Sequence, residues 1–397
     1  MRRLSASLLT RAADRLVYVL GAIVLGFWSP GPMAQTTPQG VNQMVQAFQT
    51  WAASNGVGNA VMVVAGPGGA LGTASVGAAG WNADTVRPIA STSKAITGIC
   101  IQSLIDAGQL ALTDTVQQRL PVFTATLSTT GQTRAGQVTV EHLLRHTSGL
   151  AETTQGTDFT TGAAQTDPAT WFATQAFNSA TIGTPGAAYQ YRNANYHLLG
   201  MIVAAIKTPD TYETYCRNTV LVPRGAPNAR LSANTGVAAL GAGGGWEISA
   251  NEYSSFYRQA FDRRRLSQAA RTFLDRALDT SCAACSYGLG VLVRPAAYPN
   301  VPIAVLALHT RGGVFMPLVM DAATLEILPR YDLFHDGDWD STATNPQQFS
   351  SIAAYWPNGV SAFVLTDRKL GAALSTLGTL LRPGALNIAL PTPTPAP

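Results

Sequence analysis

Helical spacing of apolar positions opens the globular part of the chain. Val41, Met44, Val45 and Phe48, with Trp51 or Ala52, fall on one side of a helix predicted over 41–53. Strand-like stretches follow at 60–65 and 71–76, with Pro67-Gly68-Gly69 as the hairpin signal between them. Pro88-Ile89-Ala90 leads into a helix that begins near Ser91 and runs to about Ala107, where Gly108 stops it. From about 110 to 280 the pattern is mostly helical with long loops, clearest over 140–146, 168–177, 196–206, 250–261 and 267–278. Strand patterns return at 287–293, 303–309, 314–320, 352–355 and 361–366, and a helix over about 369–381 closes the series. Residues 151–184, around the helical pattern at 168–177, and 329–348 read as loops that pattern alone does not define. The tail Pro391-Thr-Pro-Thr-Pro-Ala-Pro397 cannot form a regular element.

Strands, a helical block, strands and a closing helix describe an α/β domain over about 35–390. Its antiparallel sheet is flanked by helices, and a mostly helical subdomain, about 110–280, is inserted into it. The cleft between the two parts is the expected ligand site. The 397 residues are 46% hydrophobic and 12% charged, enough for a large core beneath a surface built from uncharged polar residues. The net charge of +4 is scattered. Its densest run, Arg263-Arg264-Arg265, lies in a helical pattern and reads as a solvated face, so no nucleic-acid partner is expected.

The N-terminus adds Arg2, Arg3, Arg11 and Arg15, the apolar run 16–28, then Ser29-Pro-Gly-Pro-Met-Ala34. That is the order of a secretory signal over residues 1–34, and an exported, periplasmic or secreted protein is expected. An uncleaved membrane anchor is the alternative, although the run is shorter than the roughly 20 residues that span a bilayer. Export permits disulfides among Cys100, Cys216, Cys282 and Cys285. The Cys282-Ala-Ala-Cys285 pair reads as a small-loop disulfide or as inert thiols.

Only three of the 26 basic residues are lysine: Lys94, Lys207 and Lys369. Ser91-Thr-Ser-Lys94 therefore stands out. Residues i and i+3 share a helix face, so a lysine whose pKa is lowered by burial can take the proton of the serine hydroxyl. Near a helix start, the Ser91 backbone N–H is also free to face a developing oxyanion. Tyr191-Arg-Asn193 is a second candidate. In an extended segment both side chains share a face, with Tyr191 as proton carrier, its ionised form favoured beside an ammonium. Asn193 would hold Lys94 or donate to a substrate carbonyl. The third candidate is His309-Thr-Arg-Gly312-Gly313, which follows the apolar run 301–308: His309 would contact substrate and a backbone N–H near Gly312 would complete an oxyanion hole. His142 and His146 lie four apart as zinc ligands can, but Glu141 is misplaced for a zinc-protease motif. No metal and no cofactor are expected. No Gly-x-Ser-x-Gly occurs.

Ser91-x-x-Lys94, Tyr191-x-Asn193 and His309-Thr310, in that order, resemble the motifs of the serine β-lactamase and penicillin-binding-protein superfamily. The flanks resemble it too: residues 88–97 its nucleophile segment, 140–150 (VEHLLRHTSGL) a helix-and-loop landmark, 185–200 its tyrosine segment, and 243–253 a glycine-rich stretch. The likeness covers about residues 40 to 385. It implies a β-lactamase-like fold, no metal, and an acyl-enzyme on Ser91, with Lys94 and Tyr191 sharing the base and acid roles. The chain departs from class C β-lactamases at the third motif, where they carry Lys-Thr-Gly and this chain reads His309-Thr310-Arg311, its glycines displaced by one. A carboxylesterase-type acyl hydrolase acting on a small ester, amide or peptide is therefore the leading expectation. A D-alanyl-D-alanine carboxypeptidase or class C-like β-lactamase is the alternative, and a non-catalytic binding module on the same fold is the second.

Overall fold

The computed structural model describes residues 38–388 apart from 79, 155, 181–182, 277–285, 296–302, 310–314, 322–330 and 340–347. The proposed signal, Cys282, Cys285, Gly312 and the proline-rich tail lie outside these residues. Among the described residues no helix is long and apolar enough to cross a membrane.

Helix α1 (Gln39–Ser54) precedes the hairpin β1 (Ala60–Gly66) and β2 (Gly69–Val76). A two-residue strand β3 (Arg87–Pro88) then leads into α2 (Ser93–Asp106). The helical block includes α3 (Val140–Leu144), α4 (Gly156–Ala163), α5 (Pro168–Asn178), α6 (Asn193–Lys207) and α7 (Tyr212–Cys216). It also holds two short strands that the sequence pattern did not announce, β4 (Arg230–Leu231) and β5 (Trp246–Ile248), and runs through α8 (Ala250–Ala260) to a last helix, Gln268–Asp275. Strands β6 (Tyr287–Gly288), β7 (Val291–Pro295), β8 (Ile303–His309), β9 (Phe315–Asp321), β10 (Tyr331–Trp339), β11 (Phe349–Tyr355) and β12 (Ser361–Thr366) follow, and α9 (Ala372–Leu386) is the last element among the described residues.

Seven strands form one antiparallel sheet in the order β2-β1-β12-β11-β10-β7-β6, so the N-terminal hairpin joins the C-terminal strands through β1 and β12. Period-two alternation divides the buried strand β1 between two cores. Met62 and Val64 pack with Phe48, Trp51, Leu377 and Leu381 of α1 and α9. Val61 and Val63 join the larger core beneath the helical block, where Tyr253 of α8 stacks on Phe363 of β12 at 4.0 Å. The indole N–H of Trp51 donates to Ala373 O, tying α1 to α9. A disulfide joins Cys100 on α2 to Cys216 on α7. The arginine run is a set of local pairs, Arg263 with Asp275 and Arg264 with Asp262.

Three expectations change here. Helix α4 forms within the stretch read as loop, 151–184. Strand β10 occupies part of the stretch read as loop, 329–348. Strands β8 and β9, which include His309, pair with each other as a separate two-stranded sheet.

Candidate active site

The turn that presents Ser91 is pinned from three sides. Ile89 N donates to Trp246 O. Ile89 O accepts from Thr92 Oγ1 at 2.8 Å and from Ser351 Oγ of β11 at 2.6 Å. Thr92 O accepts from Tyr253 Oη at 2.8 Å. Ala90 takes a left-handed φ of 47°, a costly conformation for a residue with a Cβ, held by these flanking contacts. Ser91 then lies in a single 3-10 turn, Ala90–Thr92, that feeds α2.

Lys94, one turn on, is fully buried. Its Nζ lies 3.1 Å from Ser91 Oγ, 2.6 Å from Asn193 Oδ1 and 2.5 Å from Gly243 O. Burial pulls its pKa down to about 7, opposed by the charge of Glu152. A neutral amine has two N–H donors and one lone pair. Asn193 Oδ1 and Gly243 O can only accept, so in the neutral amine they take both N–H groups and leave the lone pair for the Ser91 hydroxyl proton. Asn193, the first residue of α6, is held in turn: its Nδ2 donates to Thr154 Oγ1 at 2.8 Å, and Thr154 Oγ1 donates to Glu152 Oε1 at 2.5 Å. Its carboxamide thus orients Lys94.

Tyr191 lies in the extended segment before α6, its ring centroid 4.8 Å from Lys94 Nζ and 4.4 Å from the His146 ring. Its hydroxyl is buried without a well-formed hydrogen bond, close enough to Ser91 for that hydroxyl to draw its pKa down. Burial outweighs that pull, and Tyr189, Tyr196 and Asp336 add to it, so the phenol sits well above its ordinary value. The expectation of a favoured phenolate is reversed, because burial raises the phenol's pKa more than the Ser91 hydroxyl lowers it. Tyr191 is placed to donate a proton.

The landmark segment positions this tyrosine. His146 O accepts from Gln190 N, and His146 Nδ1 accepts from Arg192 N at 3.2 Å and Asn195 Nδ2 at 2.9 Å. Ser148 Oγ donates to Asn195 Oδ1 at 2.6 Å. His142 closes a capping box at the start of α3, so the two histidines have separate structural duties.

The strand lying against Ser91 is β10. Beyond Phe334 it runs past the end of its pairing with β7, and Gly337 crosses the nucleophile turn so closely that a Cβ there would sit 2.6 Å from Ser91 N. Two residues earlier His335 is buried, its Nε2 2.8 Å from Tyr287 Oη and its ring 6.1 Å from Tyr191. Burial, and then the Lys94 charge, lower its pKa to about 3, so the imidazole is neutral. Asp336 turns to the opposite face and accepts from Ser375 on α9. Thus Ser91, Lys94, Tyr191 and Asn193 come together as the motifs suggest. His335-Asp336-Gly337 stands where His309 and Gly312 had been expected; His309 ends β8, outside the seven-stranded sheet. The overlooked signal was an H-x-G with its glycine in register, hidden in an acidic stretch.

A family model described as Beta-lactamase matches residues 41–281. Protein flp of Staphylococcus aureus (strain COL) is 30% identical over 139 residues, 35% of this chain; the match spans 26% of that relative's length. The fold is similar to a D-stereospecific amidohydrolase from Streptomyces sp., with TM-score 0.63, 19% identity, and coverage of 85% of this chain and 97% of that one. It is also similar to the D-amino acid amidase of Ochrobactrum anthropi SV3 complexed with D-phenylalanine (TM-score 0.60, 17% identity, 88% and 99% covered). A third likeness is the octameric penicillin-binding protein homologue from Pyrococcus abyssi (TM-score 0.57, 17%, 87% and 77% covered).

Proposed function

From this chain's membership of the β-lactamase family, to which it belongs, we propose that it is a serine acyl hydrolase that cleaves small esters or amides through an acyl-enzyme on Ser91. The observation that carries this reading is the Lys94 amine, buried, drawn to about pKa 7, with its Nζ 3.1 Å from Ser91 Oγ. Lys94 takes the serine proton as Oγ attacks the substrate carbonyl. Tyr191 hands a proton to the leaving group, and the Ser91 N–H faces the oxyanion. A water, activated by the same groups in reverse, releases the acid. Asn193 and the Gly243 carbonyl hold Lys94 through both halves.

His335 bears on the substrate class. Being neutral, it puts no fixed positive charge beside the nucleophile, whereas a penicillin or a peptide ending in D-alanine brings a carboxylate to its enzyme. An uncharged ester or amide suits this site better. The fold's likeness to a D-stereospecific amidohydrolase and to a D-amino acid amidase keeps amides beside esters as substrates to assay.

Intact-mass spectrometry tests the assignment on wild type and Ser91→Ala after exposure to a fluorophosphonate, a p-nitrophenyl ester and a penicillin. Wild type gains the phosphonyl mass and turns over the ester without a lasting penicilloyl adduct, and Ser91→Ala does neither. A wild type that no probe modifies refutes the acyl-enzyme; a persistent penicilloyl adduct moves the function to the peptidase.

A further inference from the structure

The line from Ser91 in the 3-10 turn to Lys94 on α2 continues one turn on to Thr97. Lys94 and Thr97 meet successive carbonyls of the helical turn Gly241–Gly244. Lys94 Nζ donates to Gly243 O, and Thr97 Oγ1 donates to Ala242 O at 2.6 Å. Behind Thr97, its Oγ1 lies 2.7 Å from Tyr212 Oη, which accepts from the Trp246 indole N–H at 2.8 Å. Thr97, Tyr212 and Trp246 are all buried.

The protons in this chain have one arrangement. The single hydroxyl proton of Thr97 goes to Ala242 O, a carbonyl that can only accept. Tyr212 must then donate to Thr97, and its lone pair takes the Trp246 N–H. The result is a directional series, Trp246 to Tyr212 to Thr97 to Ala242 O, in which each bond polarises the next. Its two ends are fixed independently. Trp246 N donates to Ser93 Oγ, and Trp246 O accepts from Ile89 N, on either side of the nucleophile. Cys100, one turn beyond Thr97, is bonded to Cys216, one turn beyond Tyr212. Backbone bonds from Gly243 N to Leu240 O and from Gly245 N to Gly241 O hold this turn locally, and the Thr97 hydroxyl adds a tertiary anchor at Ala242 O.

Resting on the acyl-enzyme reading above, we propose that Tyr212 is a positioning residue for Lys94: it orients Thr97, which fixes the Ala242–Gly243 carbonyls so that Gly243 O stays on Lys94 Nζ. Gly243 O stabilises the ammonium more than the free amine, because a carbonyl dipole is attracted to the charge. Releasing it lowers the pH at which Lys94 gives up its proton.

The test is the pH profile of kcat/KM for a p-nitrophenyl ester, with the full chain as wild type, Tyr212→Phe, Thr97→Val and Thr97→Ser. Tyr212→Phe and Thr97→Val should each lose about tenfold in kcat/KM, the worth of a buried hydrogen bond. Both should move the acid limb to lower pH by about half a unit or more. Thr97→Ser keeps the hydroxyl and should retain the wild-type profile. A purely structural role lowers activity or thermal stability without moving the limb. An acid limb that stays in place or rises in the folded variants overturns the proposal, and Thr97→Val decides alone where Tyr212→Phe does not fold. A wild type in which no probe modifies Ser91 overturns the acyl-enzyme reading and this inference together. A wild type that is modified, with variants whose limb does not move, overturns this inference only.

Discussion

Lys94→Met yields a protein that is more stable than wild type at neutral pH and about 10³-fold or more slower on an ester substrate. The activity loss follows from the geometry: without an amine nothing near Ser91 Oγ takes its proton, because Tyr191 stays protonated and His335 makes its Nε2 contact with Tyr287. The stability gain follows from linkage. The folded pKa of about 7 lies below the ordinary 10.5, so between these values the unfolded chain binds more protons than the folded one. Stability from this group therefore rises as pH climbs from about 7 to 10.5, and the burial penalty is fully expressed below about 7. At about 1.4 kcal/mol for each pH unit, the gap corresponds to on the order of 4–5 kcal/mol. Asn193 and Gly243 lose a donor in the variant, so the net gain at pH 7 is smaller, about 1–3 kcal/mol. Urea denaturation of both proteins at pH 7 and pH 10 checks this. Lys94→Met should exceed wild type at pH 7, and the difference should shrink or vanish at pH 10. A difference independent of pH would mean that Lys94 stays charged in the folded protein. The wild-type rate has the same origin: kcat/KM should rise with pH through about 7.

What could be read from the sequence was whatever local spacing encodes. Ser91 and Lys94 are bound by a helical turn, Tyr191 and Asn193 by one extended step into α6, and β1 and β12 by runs of apolar residues. Strand β10 was missed because its outward positions are acidic. Asp332, Asp336 and Asp338 break any apolar pattern, yet Asp332 pairs with Arg382, Asp336 accepts from Ser375, and Asp338 accepts from Ser350. Those partners lie on α9 and β11, 12 to 50 residues away, so the stretch read as a loop is a strand whose polar face is covered. His309 drew notice because an apolar run precedes it, and the displaced glycine after it was the sign that another strand belonged beside Ser91. The supports of Lys94 left no local trace either: the Gly243 carbonyl meets it, and Glu152 and Thr154 hold Asn193 against it, only through tertiary packing.

Gly337→Ala is expected to cut the rate of Ser91 acylation about 10²-fold while leaving a folded protein. The added Cβ would lie 2.6 Å from Ser91 N, 3.0 Å from Ile89 O and 3.1 Å from Ala90 Cβ. None of these is the end of a flexible side chain, so either β10 or the nucleophile turn must move. The turn is fastened by Thr92, Ser351 and Tyr253, and β10 by its ladder to β11 from Leu333 to Trp339. Neither yields without shifting Ser91 against Lys94 or His335 against Tyr191, and displacements approaching 1 Å at reacting groups cost about 10²-fold. Crowding of this kind also removes about 1–3 kcal/mol of stability. The clash falls on Ser91 N, so single-turnover measurements should show the loss in the acylation step with little change in substrate binding. Gly68→Ala is the control: its Cβ meets nothing within 4 Å, and both rate and stability should match wild type. If Gly337→Ala acylates at the wild-type rate, β10 is not the strand seated on the nucleophile, and His309 with β8 returns as the candidate for that place.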